Sequence, residues 1–422
     1  MNLWPKTGCC EITQYMKIIL GVTGSISAYR ALDLTRKFTK EGNKVRVILT
    51  KGGERFVRAE VFTYLGAERV YTSEDDFKSY TDEEAPILHI SLTKWADKLV
   101  IAPLSANTLK KLCSGSADDL LSSVFLAWKK DRPILLFPAM NTEMLTHPFV
   151  QENIKKISTL PNIFFSSTKK GKLACGDTGE GKLLDIEEIA ELTYTINLES
   201  PKKNILLTAG ATLSPLDDVR FLTNASTGKT AVPFIRKLLE KGHTVFALIG
   251  IYATTDINLF KQHPRFTCIR VTTTQDMLNE VKKFFPKCDI YISSAAIGDI
   301  EFSHTTGKIK KGKLDSSLKI NSAPDILESV IKEKKENQTI IGFAAEKELS
   351  DDVLFEKIQR KPVDLLIGTK VHSGLVGDES RQGFGTNSAF YRIIKNNKET
   401  IQEGFLSKEE LANTLLTSLG VI

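Results

Sequence analysis

Read for its alternation of apolar and polar positions, the chain begins a regular pattern at Lys17. Ile18 to Val22 form a short apolar run that leads into Thr23-Gly24-Ser25, and Ile26, Tyr29, Leu32 and Phe38 then recur at helical spacing until Gly42. Val45 to Leu49 make a second apolar run, so this stretch reads as strand, helix, strand. Residues 1–15 show no such period and read as a loose extension before Met16. Further on, Lys98 to Ala102 end at Pro103 and give way to small and polar residues, then to a helical pattern; Pro133 to Phe137 end likewise in Pro138-Ala-Met-Asn141. Unbroken apolar runs of this length are strands buried on both faces of a parallel sheet, and such sheets gather ligands where the chain leaves the carboxyl ends of the strands.

The plan repeats after residue 200. Asn204 to Thr208 predict a strand, a longer loop carries Gly210 and Asp217 to Arg220, a helix covers about Thr227 to Lys241, and Thr244 to Ile249 predict the next strand. Lys17-Ile-Ile-Leu-Gly-Val-Thr-Gly24 and Lys203-Asn-Ile-Leu-Leu-Thr-Ala-Gly210 are parallel openings of two domains. The expected division is an extension over 1–15, a first domain over 16–192, a linker over 193–203 marked by Pro201 and its flanking charges, and a second domain over 204–422. The fold class is α/β, with two Rossmann-like domains of three layers each. Neither opening carries Gly-x-Gly-x-x-Gly, which argues against a dinucleotide. Gly24 is expected to permit a tight turn, with Ser25 and the first amides of the helix facing an anion such as phosphate.

Composition narrows the function classes. A chain of 422 residues exceeds one hydrophobic core. The net charge of +6 is mild and spread out, which suits phosphorylated small molecules better than a nucleic-acid groove. No apolar run approaches the roughly 18 residues that span a bilayer, and the amino terminus has no signal-peptide pattern, so the expectation is a cytoplasmic protein with neither membrane nor nucleic acid as partner. The six cysteines form no Cys-x-x-Cys pair and no zinc-type spacing to histidine, so neither a disulfide framework nor a metal site is indicated.

Several residues stand out as candidate chemistry. His89 lies just before the strand at Lys98, and Ser105 and Asn107 lie in the loop after it. Asn141 follows another strand, where a short amide either holds a ligand or caps a helix. Residues 168–182 hold four glycines and almost nothing apolar, which reads as a mobile flap. Cys175 sits in its middle, with Lys169, Lys170 and Lys172 near enough in sequence to favour a thiolate. Lys308, Lys310 and Lys311 occupy a loop bounded by Gly307 and Gly312, while Lys357 and Lys361, four apart, share one helical face.

Several of these residues fall within motifs that resemble known families. Gly21-Val-Thr-Gly-Ser-Ile, His89-Ile-Ser-Leu, Ala102-Pro-Leu-Ser-Ala-Asn107, Gly115-Ser-Ala-Asp-Asp-Leu-Leu, Pro138-Ala-Met-Asn141 and Ala174-Cys175-Gly-Asp resemble the flavin-containing cysteine decarboxylases. Thr208-Ala-Gly-Ala-Thr, Asp218-Val-Arg-Phe-Leu-Thr-Asn224-Ala-Ser-Thr-Gly-Lys229, Ala295-Ala-Ile-Gly-Asp299, Lys308-Ile-Lys-Lys311, Pro324-Asp-Ile and Gly342-Phe-Ala-Ala-Glu346 resemble phosphopantothenate–cysteine ligase. Together they resemble the bifunctional coenzyme A biosynthesis proteins over residues 16 to about 415.

The resemblance implies that the first half decarboxylates 4'-phosphopantothenoylcysteine to 4'-phosphopantetheine with FMN. Gly24, Ser25, Thr50, Ser105 and Asn107 would hold the flavin, His89 would act as base, Asn141 would hold the substrate carboxylate, and Cys175 would return the final proton. It implies that the second half joins 4'-phosphopantothenate to cysteine through an acyl-CMP intermediate, using CTP as co-substrate and Mg²⁺. There Lys308 would meet the nucleotide phosphates and Asn224 would hold the intermediate. Ala295, Asp299, Pro324, Asp325, Ile326, Leu327, Phe343, Lys357 and Lys361 would complete the CTP site; the Mg²⁺ ligands are left unassigned. It also implies a homo-oligomer, a dodecamer built of trimers with the ligase halves paired as dimers. Ala211, Thr227, Leu145 and Lys182 depart from the commonest family residues. Two other readings are a flavin-binding regulatory protein of the same fold without turnover, and a nicotinamide-dependent oxidoreductase, which the missing glycine fingerprint disfavours.

Overall fold

The computed structural model describes residues 15–75, 87–172, 176–310, 318–371, 383 and 385–422. The chain divides into two units, one ending at Leu198 and the other beginning at Glu199. The first is built on six strands, β1 (Lys17–Val22), β2 (Lys44–Leu49), β3 (Arg69–Tyr71), β4 (Lys98–Leu104), β5 (Ile134–Pro138) and β6 (Ile163–Phe165), in the order β3-β2-β1-β4-β5-β6. All are parallel. Successive side chains point to opposite faces, so Ile18, Leu20 and Val22 enter one core with the helices Arg30–Lys40 and Ile186–Thr195. Ile19 joins Leu99 and Ile101 in a second core with the helices Leu88–Trp95, Ala106–Ser114 and Leu120–Leu126. β4 is buried at every position and runs through Pro103 to Leu104, two residues past the expected end.

Two further strands, β7 (Lys169–Lys172) and β8 (Thr178–Lys182), form an antiparallel ribbon over the stretch expected to be a mobile flap. The helix Arg30–Lys40 follows a short 3₁₀ turn at Ile26–Tyr29, and its buried side is Ala31, Leu34, Thr35 and Phe38. Ile26 and Tyr29, expected to face the core, are each 55% exposed because the 3₁₀ turn shifts their phase relative to the helix that follows. The helix Ile186–Thr195 runs on past Leu192, with Thr193 and Thr195 buried, so the irregular join starts after it.

Among its described residues the second unit has twelve strands. β9 (Asn204–Ala209), β12 (Thr244–Gly250), β13 (Phe266–Val271), β14 (Ile290–Ser293), β17 (Thr339–Glu346), β18 (Leu365–Lys370), β19 (Ser388–Lys395) and β20 (Thr400–Ser407) make an eight-stranded sheet in the order β13-β12-β9-β14-β17-β18-β19-β20. It is parallel as far as β18 and antiparallel beyond. β10 (Leu213–Pro215) pairs with β11 (Phe221–Thr223), and β15 (Ile300–Phe302) with β16 (Ile320–Ser322). Cores lie on both faces, with Ile205, Leu207, Ile290 and Ile292 in one and Leu206 and Tyr291 in the other. Each unit is thus a three-layer α/β domain.

Two cations close helix ends in the first unit. Lys98, 7% exposed, donates from Nζ to the carbonyls of Thr193 at 2.5 Å and Ile196 at 2.6 Å, at the end of Ile186–Thr195. Arg132 donates to the carbonyls of Thr93 at 3.1 Å, Lys94 at 3.3 Å and Ala96, which end the helix that carries His89. A positive charge there meets unsatisfied carbonyls and the negative end of the helix dipole together. Lys98→Met strips donors from buried carbonyls and is expected to destabilise this unit by about 2–4 kcal/mol in urea unfolding. An unchanged midpoint would show that water serves those carbonyls equally well.

Candidate functional sites

At the carboxyl edge of the first sheet, Thr23 leaves β1 with its hydroxyl buried. It donates to the Pro103 carbonyl and accepts from Ser105 N, both at 2.8 Å, which joins the loops after β1 and β4. Thr50, after β2, donates from its hydroxyl to Val22 O at 3.3 Å and accepts from Gly53 N at 3.2 Å. Gly24 lies outside the left-handed region, so the expected reason for it is corrected. A Cβ on Gly24 would come 3.1 Å from the Gly52 Cα, and it is this backbone-to-backbone approach that requires glycine. Ser25 caps the 3₁₀ turn by accepting from Ser27 N at 3.3 Å. Ser105 is buried and caps Ala106–Ser114 by accepting from Thr108 N at 3.3 Å, while Asn107, on the first turn, is exposed. Gly115 and Asp119 of the shared motif serve helix ends: Gly115 takes φ 72° after Ala106–Ser114, and Asp119 caps Leu120–Leu126.

His89 stands on the first turn of Leu88–Trp95, half-buried. The helix leads back to the amino end of β4, so its first turn lies toward the carboxyl edge of the sheet. Asn141 follows β5 and caps the short helix Thr142–Thr146, its Oδ1 accepting from Glu143 N at 2.8 Å. That bond fixes which end of the amide presents its N–H groups.

The β7–β8 ribbon lies directly on this turn. Met140 N donates to Gly181 O at 3.0 Å, and the Thr142 hydroxyl donates to Glu180 O at 2.6 Å. A Cβ on Gly181, which has φ 119°, would sit 2.0 Å from the Met140 carbonyl, and one on Gly179 would sit 2.3 Å from the Thr142 hydroxyl. The glycines expected to give mobility are therefore what lets the ribbon dock. Lys169 is likewise reassigned from the thiol: its Nζ lies 2.5 Å from both Asp185 and Glu188 at the start of Ile186–Thr195. Cys175 lies outside the described residues, in the connection between the two strands.

In the second unit a cleft of about 570 Å³ opens at the carboxyl edge of β9, β14 and β17. Its wall takes in Asn224 from the loop after β11, Ala295 and Asp299 from the loop after β14, and Phe343 from β17. It also takes in Pro324 and Asp325 with Ile326 and Leu327, at the start of the helix Ile326–Lys332, and Lys357 and Lys361 at the end of Asp351–Arg360. Lys357 is paired with Glu346 at 2.7 Å, and Lys361 with Asp325. Burial alone would raise the Asp325 carboxyl, but the Glu328 N–H and Lys361 hold it below the usual range. Asn224 donates from Nδ2 to the carbonyls of Ala296 at 3.1 Å and Ile297 at 3.3 Å, which turns its Oδ1 away from them. The expected helix at Thr227 starts only at Ala231, and residues 227–230 remain a loop in the cleft wall.

Lys308 is exposed and is not part of that wall. Its neighbours are pinned instead. Ile309 N donates to Asp217 at 3.1 Å, Gly307 N to Asp218 at 2.8 Å, and Arg220 Nη2 to the Ile309 carbonyl at 3.2 Å. The Arg220 guanidinium, 3.0 Å from Asp217 at Nε, and the N–H groups of Val219, Arg220 and Ile309 hold the buried Asp217 carboxyl well below the usual carboxylate range. The sequence placed Asp217 to Arg220 in the loop without giving Asp217 a role, and the signal for one was its place three residues before Arg220.

The two units make a two-domain α/β protein with a candidate small-molecule site at the carboxyl edge of each sheet. The Flavoprotein family model matches residues 11–197, and that of the DNA/pantothenate metabolism flavoprotein C-terminal domain matches residues 201–421. The chain is 31% identical to the coenzyme A biosynthesis bifunctional protein CoaBC of Bacillus subtilis over 96% of its own length and 97% of that protein. It is 33% identical to the protein of the same name from Haemophilus influenzae, over 95% and 96%. The chain belongs to the family of bifunctional coenzyme A biosynthesis proteins. It is an enzyme with decarboxylase and phosphopantothenate–cysteine ligase activities in one chain. Among solved structures, a PPC decarboxylase mutant complexed with pantothenoylaminoethenethiol is 34% identical over 43% of this chain and 97% of that one, at a TM-score of 0.39. The C-terminal domain of a coenzyme A biosynthesis bifunctional protein CoaBC is 25% identical over 52% and 96%, at 0.40.

Docking of the ribbon on the Asn141 turn can be tested at one atom. Gly181→Ala is expected to lift it and to slow decarboxylation by roughly tenfold or more, since a misplacement of about 1 Å can cost a hundredfold. Flavin absorbance and ligation should be retained. Wild-type carbon dioxide release by this variant would show that the ribbon's position does not matter.

Proposed function

We propose that the two activities are divided between the units: residues 16–192 decarboxylate 4'-phosphopantothenoylcysteine, and residues 204–422 make it from 4'-phosphopantothenate, cysteine and CTP. The observation that carries this reading is the single cleft in which Asn224, Asp299, Asp325, Phe343, Lys357 and Lys361 meet. Cysteine's amine has to displace an activated acyl group, and Asn224 suits that step. Its amide nitrogen is committed to two carbonyls, so Oδ1 is the atom that can accept a hydrogen bond from the attacking amine. Phe343 offers a ring beside the nucleotide base, and Asp299 an exposed carboxylate for its amino group or ribose. Lys308 neutralises the phosphates from its anchored loop. Mg²⁺ held mainly by triphosphate oxygens and water needs only one or two protein carboxylates. Among the described residues, no group of three or more His, Cys, Asp or Glu could hold a metal ion.

FMN fits the edge of the first sheet. Gly24 and Gly52 let the loops after β1 and β2 meet backbone to backbone, and Ser25, Thr50, Ser105 and Asn107 bring hydroxyls and an amide to the same edge. FMN when bound supplies the two-electron acceptance and return that side chains cannot. His89 takes a proton from the cysteinyl substrate, a task for which an imidazole offers a ring nitrogen as acceptor. Asn141 donates to the substrate carboxylate without a positive charge that would hold it back from leaving. Cys175 returns a proton to the product. A cytoplasmic homo-oligomer completes the reading: Ile26, Tyr29 and Tyr64, the last 89% exposed, leave apolar surface on the segments that follow the touching glycines. No helix among the described residues is long and apolar enough to cross a membrane.

The deciding assay supplies phosphopantothenate, cysteine, CTP and Mg²⁺ and follows pyrophosphate and carbon dioxide together. Asn224→Asp is expected to release pyrophosphate but form little amide. His89→Asn should bind FMN and ligate, with decarboxylation reduced by roughly 10²–10⁴-fold, the usual contribution of a general base. Wild-type rates for either variant would remove that residue's role, and a wild-type protein that released neither product would sink the reading as a whole.

A further inference from the structure

Lys408 opens the helix Lys408–Ser418, behind the capping residue Ser407, and is only 8% exposed. Three things oppose a charge there. Burial strips its water, the amino-terminal end of a helix repels cations, and the charge of Lys229 acts against it. Burial and then Lys229 push its ammonium down to about 8. No described residue gives its side chain a hydrogen bond or an ion pair. Both lysines line the cleft of the second unit, as do Tyr391 and Phe343. Lys229 lies in the loop just before the helix Ala231–Glu240, on the cleft wall between Gly228 and Thr230. The other two lysines of the wall differ, because Lys357 and Lys361 are each matched by a carboxylate. Among the described cations of the wall, Lys229, Arg360 and Lys408 have no carboxylate at ion-pair distance, and of these three only Lys408 is buried.

We propose that Lys408, with Lys229, forms a phosphate-binding subsite of this cleft. A dianionic phosphoryl group there relieves the repulsion between the two lysines and gives Lys408 the acceptor it lacks. The phosphate comes from one of two sources, the nucleotide triphosphate or the phosphate ester of the acid substrate. The subsite rests on the ligase reading of the cleft only for the naming of those two molecules.

The test uses the full chain and calorimetric titration with inorganic pyrophosphate, with CTP and with 4'-phosphopantothenate, each alone. Lys408→Met is expected to weaken pyrophosphate by roughly 10- to 100-fold, the worth of one or two hydrogen bonds to a charged group. It should weaken CTP or phosphopantothenate similarly, and whichever loses affinity names the source. The thermal midpoint should hold or rise, because an unpaired buried cation has been removed. A lysine that served only the fold would give the opposite pattern, a lower midpoint with wild-type affinity for all three ligands, and that result overturns the subsite. If the wild-type chain bound pyrophosphate in a Lys408-dependent way but neither CTP nor phosphopantothenate, the ligase reading would fall while the subsite stood.

Discussion

The buried hydroxyl of Thr23 is the joint on which the first site depends. It accepts from Ser105 N and donates to Pro103 O at 2.8 Å each, so the loops after two adjacent strands cannot separate without stranding a backbone donor and acceptor away from water. The second unit solves the same problem in the same way. Thr212, buried after β9, accepts from Gly298 N at 3.2 Å, and Thr223 donates to the Thr212 carbonyl at 2.9 Å. Asp299 follows Gly298 and Asn224 follows Thr223, so one buried threonine sets the spacing of two cleft residues. A parallel sheet gives its site no hairpins to lock loops together. A hydroxyl, which donates and accepts at once, is a compact substitute.

The same sheet dictates where charge can go. β4 is buried along its whole length, so its chemistry is confined to the ends: Lys98 at the amino end and Ser105 just past the carboxyl end. Lys98 is tolerated because three carbonyls of a helix terminus surround it. Arg132 does the same for the helix of His89, which makes the orientation of that first turn a consequence of a contact at the far end of the helix.

The strands were legible in the sequence because burial on both faces leaves an unbroken apolar run, and the ends of those runs marked the edge where Ser105, Asn107 and Asn141 stand. The ribbon was not legible. Glycine signals freedom and close approach with the same letter, and only the Met140 carbonyl, 2.0 Å from a Cβ on Gly181, decides between them. Ile26 and Tyr29 misled for a related reason, since period alone does not reveal that the first turn is 3₁₀. Lys169 looked available to a thiol because its partners, Asp185 and Glu188, lie beyond the loop in sequence.

The lysines of the second unit show how charge is divided between holding a shape and meeting a substrate. Lys357 and Lys361 are fixed by Glu346 and Asp325, so an arriving phosphate must share them with a carboxylate and gains less from each than from a bare cation. Their pairing holds the helix Asp351–Arg360 to β17 and to the start of Ile326–Lys332, and so keeps the cleft open at its set width. Lys308 is arranged differently. Asp217 and Asp218 bind the backbone on either side of it through Ile309 N and Gly307 N, and no described residue pairs with its ammonium. Anchoring a loop by its amides positions the cation without neutralising it. The buried Asp217 can do this because Arg220 and three N–H groups keep it ionised, while Arg220 in turn holds the Ile309 carbonyl. The acidic residues of this stretch therefore fix where the positive charge of Lys308 stands rather than opposing it.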